Sequence, residues 1–183
     1  MASGCEGVRI YVIRVKGDDP KKSTALKLVR LGLARRIGIF ERLPRHSVLL
    51  NPFVKRLLSP SDNVNVRRGG IAVLDTSWNL GLAALKRVFR EVRGGVHRAL
   101  PALFAANPIN YGIAMKLSSA EAIASALYIT GLRECALEVL SKFKWGETFL
   151  TLNKSLLNAY ASALSYEDVV SIHEGILEKV NEA

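Results

Sequence analysis

The spacing of apolar and polar positions changes character near residue 107. Before it, short β-branched runs alternate with helical spacings. Residues 8–15 (VRIYVIRV) form such a run and predict a strand. Asp18-Asp19-Pro20 predicts a turn. Ser23 or Thr24 then opens a helix to about Leu33, with Leu26, Val29 and Leu33 on one face. Short strands are expected at residues 37–40 and 47–50, the second stopped by Asn51-Pro52. Residues 59–68 read as polar turns, and residues 71–74 as a buried strand ending at Asp75. A helix from about 80 to 92 and a last strand over 100–106 complete this half.

Beyond residue 107 the period is helical throughout. Ser118-Ser119-Ala120-Glu121 is a capping box, with Glu121 three residues after Ser118. It predicts a helix to Gly131. Further helices are expected over 133–143 and 147–164, and after Ser165, which has Asp168 three residues on. The pattern divides the chain into an α/β domain, residues 1–107, and a helical domain, residues 108–183.

Charge sharpens that division. Residues 1–100 carry 20 Lys and Arg against 7 Asp and Glu, a net of +13; the remainder carries 6 against 9, a net of −3. The bases cluster at Lys21-Lys22, Arg35-Arg36, Lys55-Arg56, Arg67-Arg68 and across 87–98, which favours a nucleic-acid partner over a merely solvated basic surface. No stretch is long and apolar enough to span a bilayer, and no signal peptide is visible, so a soluble, cytoplasmic protein with no membrane partner is expected. The two cysteines, Cys5 and Cys135, form no CxxC pair; free thiols in a reducing compartment are preferred over a disulfide. His46, His97 and His173 are far apart in sequence, so no metal site is expected. There is no Walker A sequence, no GxGxxG after a strand and no GxSxG elbow. At 183 residues the chain buries a sizeable core without staples, and it is taken to be a monomer.

Three clusters can carry chemistry. Asp19-Pro20-Lys21-Lys22-Ser23-Thr24 feeds a helix start, which is either an anion site or an ordinary N-cap. Leu74-Asp75-Thr76-Ser77-Trp78 ends a strand, where ligands of open α/β sheets collect; Asp75 beside Trp78 is either a charge against a flat apolar wall or a cap beside a core aromatic. The run 103–131, with only Lys116 and Glu121 charged, places a strand, a polar loop and a capped helix in succession. If both helix starts face one cleft, a zwitterion with a carboxylate fits, and S-adenosylmethionine (SAM) is such a ligand.

Asp19-Pro20-Lys21-Lys22, Asp75-Thr76-Ser77-Trp78, AANPINYG at 105–112, Lys116-Leu117-Ser118 with Glu121-Ala122, KFKWG at 142–146, Phe149-Leu150 and Leu152-Asn153 carry a further signal. In that order, and over nearly the whole chain, they resemble the ribosome-biogenesis aminocarboxypropyltransferases that modify a pseudouridine in small-subunit rRNA. The resemblance implies a SPOUT-like α/β half with a deep trefoil knot and an all-α C-terminal half. It implies transfer of the 3-amino-3-carboxypropyl group of SAM to N3 of the base, which releases methylthioadenosine, within the small-subunit rRNA or pre-ribosomal small subunit. By the same resemblance Thr24 and the N–H of Ser119 hold the SAM carboxylate. Leu50, Pro52, Trp78, Leu100, Leu117 and Ala122 pack on adenine. The carbonyl of Leu74 takes the ribose, and backbone groups of Leu100 and Met115 read the adenine edge. Because positioning must select which sulfonium carbon reacts, Trp78 is expected to wall off the SAM methyl and Asp75 to accept the N3 proton or orient the base. Ser23 and Thr76 stand where the family often has cysteine, which argues against a cysteine nucleophile. A knotted RNA methyltransferase and a non-catalytic rRNA-binding assembly factor are the competing readings.

Overall fold

The computed structural model describes residue 5 and residues 7–15, 19–76 and 81–182. Five parallel strands form one sheet in the order β2-β1-β4-β3-β5. They are β1 (Ile10–Arg14), β2 (Arg35–Ile37), β3 (Val48–Leu50), β4 (Ile71–Asp75) and β5 (Val96–Arg98). The helices are α1 (Thr24–Arg30), α2 (Asn63–Gly69), α3 (Leu82–Glu91), α4 (Ser119–Ile129), α5 (Arg133–Ser141), α6 (Gly146–Ala161) and α7 (Tyr166–Glu182).

The strands read as unbroken apolar runs because both faces of the sheet are covered. Ile10, Val12, Val48, Leu50, Ile71 and Val73 face α1, α2 and α4 to α7 in the larger core. Their alternates, Tyr11, Ile13, Leu49, Ala72 and Leu74, face Phe89 of α3 in the smaller one. The larger core joins residues from both halves of the chain. At its centre lies α4, apolar nearly all round, in contact with α1, α5, α6 and β4. A helix enclosed on every side has no place for unpaired charge, which explains why Glu121, with its hydrogen bonds, is the one charged residue of α4.

Four expectations need correction. The strand sought at 37–40 is β2, displaced to Arg35–Ile37. The chain turns after it, where Glu41 accepts from the Gly38 N–H at 2.6 Å and Phe40 is left exposed. Residues 59–68 are more ordered than their polarity suggests: Ser59 and Asp62 form a capping box over a 3-10 turn (Pro60–Asp62), which leads directly into α2. The final strand is β5 at Val96–Arg98, not 100–106. Residues 102–106 are largely buried, but helix side chains satisfy much of their backbone. Ala102 N–H donates to His173 Nδ1 at 3.0 Å, and its carbonyl accepts from Tyr160 at 3.1 Å. The Phe104 peptide is bonded on both sides by Asn153, each at 2.8 Å. The apolar run is therefore a buried thread among helices, not a sheet member. Fourth, Cys5 and Cys135 form a disulfide, not free thiols. Spacing gave no hint of it, because the pairing needs Cys5 to lie beside α5, where its N–H also donates to Glu138 at 3.1 Å.

Candidate active site

Strands β1 and β4 are neighbours, yet their onward connections diverge. From β1 the chain passes through α1 to β2 at one edge; from β4 it passes through α3 to β5 at the other. Such a divergence opens a crevice at the carboxyl ends of the two strands, where open α/β sheets take ligands. Arg14 and Asp75 are the paired last residues of β1 and β4. The Arg14 guanidinium donates to Asp75 Oδ2 at 2.6 Å, with both side chains nearly buried.

The adjoining helix start ties this pair to the rest of the site. Ser23, the N-cap of α1, accepts the Leu26 N–H at 3.0 Å and donates its hydroxyl to Asp75 Oδ2 at 2.9 Å. Its neighbour Thr24 accepts the Ala120 N–H from the first turn of α4 at 3.2 Å. The starts of α1 and α4 thus meet at the crevice. That bond fixes the Thr24 oxygen and leaves its proton available to an acceptor. The Ser119 N–H meets no acceptor among the described residues, as the first turn of a helix allows. The Thr76 hydroxyl, one residue beyond Asp75, is buried without a hydrogen-bond partner. A buried, unsatisfied hydroxyl is costly and calls for a partner.

The loop entering α4 is anchored by one carboxylate. Glu121 is fully buried. Its Oε1 accepts from Ala106 N–H at 2.7 Å and Asn107 N–H at 2.9 Å; Oε2 accepts from Asn107 Nδ2 at 2.8 Å and Ser118 N–H at 2.6 Å. The capping pattern identified only the last of these. Within this loop Met115 has φ of 63°, the sole left-handed residue other than glycine among those described. Its N–H donates to the Leu103 carbonyl at 2.9 Å. A bulky side chain in this region is strained and persists only where its surroundings enforce it.

The remaining candidates divide by position. Leu50, Leu100, Leu117 and Ala122 all pack on the larger core, whereas Leu74 belongs to the smaller core on the other sheet face. Pro52 is exposed just beyond β3. Trp78 lies outside the described residues. Arg14, the N-cap role of Ser23 and the loop contacts of Glu121 escaped the sequence reading; the β1–β4 register is what brings Arg14 to Asp75. A cavity of about 470 Å³ lies between Phe104, Gly112, Ile113 and Ala114 and the end of α7, and none of the candidate residues lines it. Among the described residues no group of three or more His, Cys, Asp or Glu side chains is placed to hold a metal, and no helix is long and apolar enough to cross a membrane.

The comparisons agree with one another. The family described as "Ribosome biogenesis protein, C-terminal" matches residues 48–177. A 16S rRNA aminocarboxypropyltransferase from Methanosarcina acetivorans is 44% identical over 167 residues, covering 90% of this chain and 92% of the relative. The protein of that description from Saccharolobus islandicus is 44% identical over 175 residues, covering 94% and 98%. The solved structure of the SAM-dependent rRNA:acp-transferase Tsr3 from Vulcanisaeta distributa superposes with a TM-score of 0.79 at 38% identity, covering 97% of this chain and 100% of that one.

Proposed function

We infer that this chain, which belongs to the ribosome-biogenesis protein family, is a SAM-dependent rRNA aminocarboxypropyltransferase that acts on N3 of a pseudouridine, or its N1-methyl form, in small-subunit rRNA. The observation that carries the reading is 44% identity to 16S rRNA aminocarboxypropyltransferases over nearly the full length of both chains. The crevice supports it: two helix starts meet beside a buried ion pair, an unsatisfied hydroxyl follows that pair in sequence, and a strained residue lies in the loop that leads to the second helix start. The deep knot, and the division into a SAM- and RNA-binding domain (1–107) and a helical domain completing the SAM site (108–183), belong to the same proposal.

Bound SAM supplies carbons activated by one sulfonium, and the protein selects which of them the base can reach. Thr24, through its free hydroxyl proton, and the Ser119 N–H hold the amino-acid carboxylate. Leu50, Pro52, Leu100, Leu117 and Ala122 enclose adenine, Leu100 and Met115 read its edge through the backbone, and the Leu74 carbonyl takes the ribose. Trp78 closes the methyl side. N3 of the base forms the new bond to the tail's γ-carbon as the γ-carbon–sulfur bond breaks with its electron pair going to sulfur. Methylthioadenosine leaves, and the N3 proton passes to Asp75 or to water. Pairing with Arg14 and Ser23 holds the Asp75 carboxylate in one position, which suits it to orienting the base.

The test uses SAM labelled separately in its carboxyl and methyl carbons, with small-subunit rRNA as acceptor. Carboxyl label in the RNA, without methyl label, is expected. Methyl label in RNA would instead make the chain a methyltransferase. Tight rRNA binding with neither label would make it an assembly factor.

A further inference from the structure

Because the sheet is parallel throughout, every strand is entered at one end and left at the other. The crevice lies at the exits. The entrances are basic. In sheet order, exposed arginines stand at or just before each strand: Arg35 on β2, Arg9 before β1, Arg67 and Arg68 before β4, Arg45 before β3 and Arg93 before β5.

Close backbone packing makes these entrances neighbours. Arg9 and Arg35 line one depression of about 260 Å³. The Arg9 guanidinium donates to the Arg68 carbonyl. A Cβ on Gly69 would lie 2.1 Å from the His46 carbonyl carbon, and one on Gly70 2.2 Å from the Arg9 carbonyl oxygen. One on Gly94 would lie 2.6 Å from the Leu43 carbonyl oxygen, and the Leu43 N–H donates to the Arg93 carbonyl at 2.9 Å. Only glycine fits at these approaches, which draw the entry loops together across the sheet. Among the described residues, the acids flanking these entry loops in sequence, Glu41 and Glu91, carry two negative charges against six positive ones, and Glu91 also faces Arg87 at 3.9 Å. Gathering like charges destabilises the protein alone, and a polyanion relieves that repulsion. All six bases are arginine, whose planar fork matches phosphate oxygens. Across the strands the rim spans roughly 19 Å, at about 4.8 Å per strand spacing.

We propose that this arginine rim is a second rRNA-binding surface, which holds backbone phosphates of a segment remote from the reacting nucleotide. The proposal rests on the rRNA reading above and adds the path of the RNA. The rim lies the length of a strand away from Asp75, roughly 17 Å for five residues. A guanidinium–phosphate contact is made at hydrogen-bond distance, about 2.7–2.9 Å, so phosphates held there are not those flanking a base that sits against Asp75.

The triple variant Arg35→Gln, Arg45→Gln, Arg68→Gln tests it against a full-length small-subunit rRNA transcript and a short hairpin bearing the target uridine. None of these side chains belongs to the crevice, and a thermal melt checks the fold. With three phosphates no longer neutralised, the slope of log K against log salt should fall by about 2, a weakening of roughly 40-fold at 0.15 M salt that vanishes towards 1 M. Binding and carboxyl-label transfer to the hairpin should stay at wild-type levels. The corresponding Lys variants, which keep the charge, should recover most of the slope. Unchanged affinity and slope on the transcript overturn the proposal, as would be seen if the rim instead met an acidic protein. Equal weakening on hairpin and transcript overturns it too, since the rim would then not be remote. Wild-type protein that transfers no label defeats the functional reading but leaves the binding comparison legible.

Discussion

Replacing Glu121 with glutamine keeps its size and changes its hydrogen-bonding capacity, so it isolates the anchor of the 103–117 loop. The carboxylate accepts four N–H groups, two at each oxygen, with no exposure to water. An amide has one oxygen. In either orientation its NH2 faces two donors: Ala106 and Asn107 backbone, or Asn107 Nδ2 and Ser118 backbone. Turning the Asn107 amide over does not rescue the second arrangement, because its Nδ2 also donates to the Lys116 carbonyl at 3.2 Å and its Oδ1 accepts from Asn110 N–H at 3.1 Å. Two charge-assisted bonds disappear, at about 1.5–3 kcal/mol each, so Glu121→Gln should destabilise the protein by about 3–6 kcal/mol. An unfolding entropy of about 2.1 cal/mol/K per residue makes this a fall of about 8–16 °C in Tm. The loop also carries Met115 and delivers Ser119, so SAM affinity measured by calorimetry below the transition should fall at least about tenfold. A variant melting within about 2 °C of wild type, with unchanged SAM affinity, would refute the assignment of Glu121 as the anchor.

Three further outcomes follow from the geometry. Asp75→Asn keeps an acceptor for Ser23 but removes the charge facing Arg14; kcat should fall by about 10²–10⁴-fold, and a retained acid limb in the pH–rate profile would mark Asp75 as orienting the base, while its disappearance would mark a general base. Burial lowers the pKa of His173, with the Glu174 carboxylate opposing, and burial likewise lowers that of His97. The unfolded chain therefore takes up these protons first, and stability present above about pH 6.5 should decline below it; His173→Gln should weaken that decline in pH-dependent melts, and an identical acid arm would exclude His173 as a contributor. The Cys5–Cys135 disulfide closes a sequence separation of 130 residues, so Cys5→Ala or reduction should cost about 5 kcal/mol on the chain-entropy account, read as a Tm lowered by up to about 13 °C, and a reductant-insensitive melt would contradict the bond.

Much of the architecture was readable because local signals agreed with burial. The strands β1, β3 and β4 carry short apolar runs and the helices α4 to α7 a sustained helical period, with capping side chains at the starts of α4 and α7, and they fall close to their expected positions. The readings failed where the decisive interaction is between residues distant in sequence. Residues 102–106 look like a strand because they are apolar and buried, but Asn153, Tyr160 and His173 supply backbone partners from 49 to 71 residues away. Nothing local announces that a helix side chain, not a neighbouring strand, will take a peptide N–H. The Cys5–Cys135 pairing was hidden for the same reason. In the crevice, Asp75 and Thr24 stood out through their strand-end and helix-start contexts, whereas Arg14 looked only like an interruption in an apolar run. Its importance depends on the β1–β4 register, which places the final residues of both strands side by side.

That register also bears on what the crevice can do. An Arg–Asp pair with side chains only 10% and 12% exposed carries a desolvation cost that attraction alone need not offset. Ser23 supplies one extra hydrogen bond to the carboxylate, and it is donated to the same oxygen that Arg14 uses. Both bonds are made at Oδ2, and the adjacent Thr76 hydroxyl is buried without a partner. The end of β4 thus presents one unmet buried hydroxyl where the sheet connections part. A fold stabilised for its own sake would satisfy this group or replace it with an apolar one of similar size. Its retention beside a fixed ion pair is the pattern expected when a polar substrate completes the hydrogen bonds. One N–H edge of a pyrimidine-like base, offered to Oδ1, would take the place of water there while Arg14 and Ser23 hold the carboxylate still.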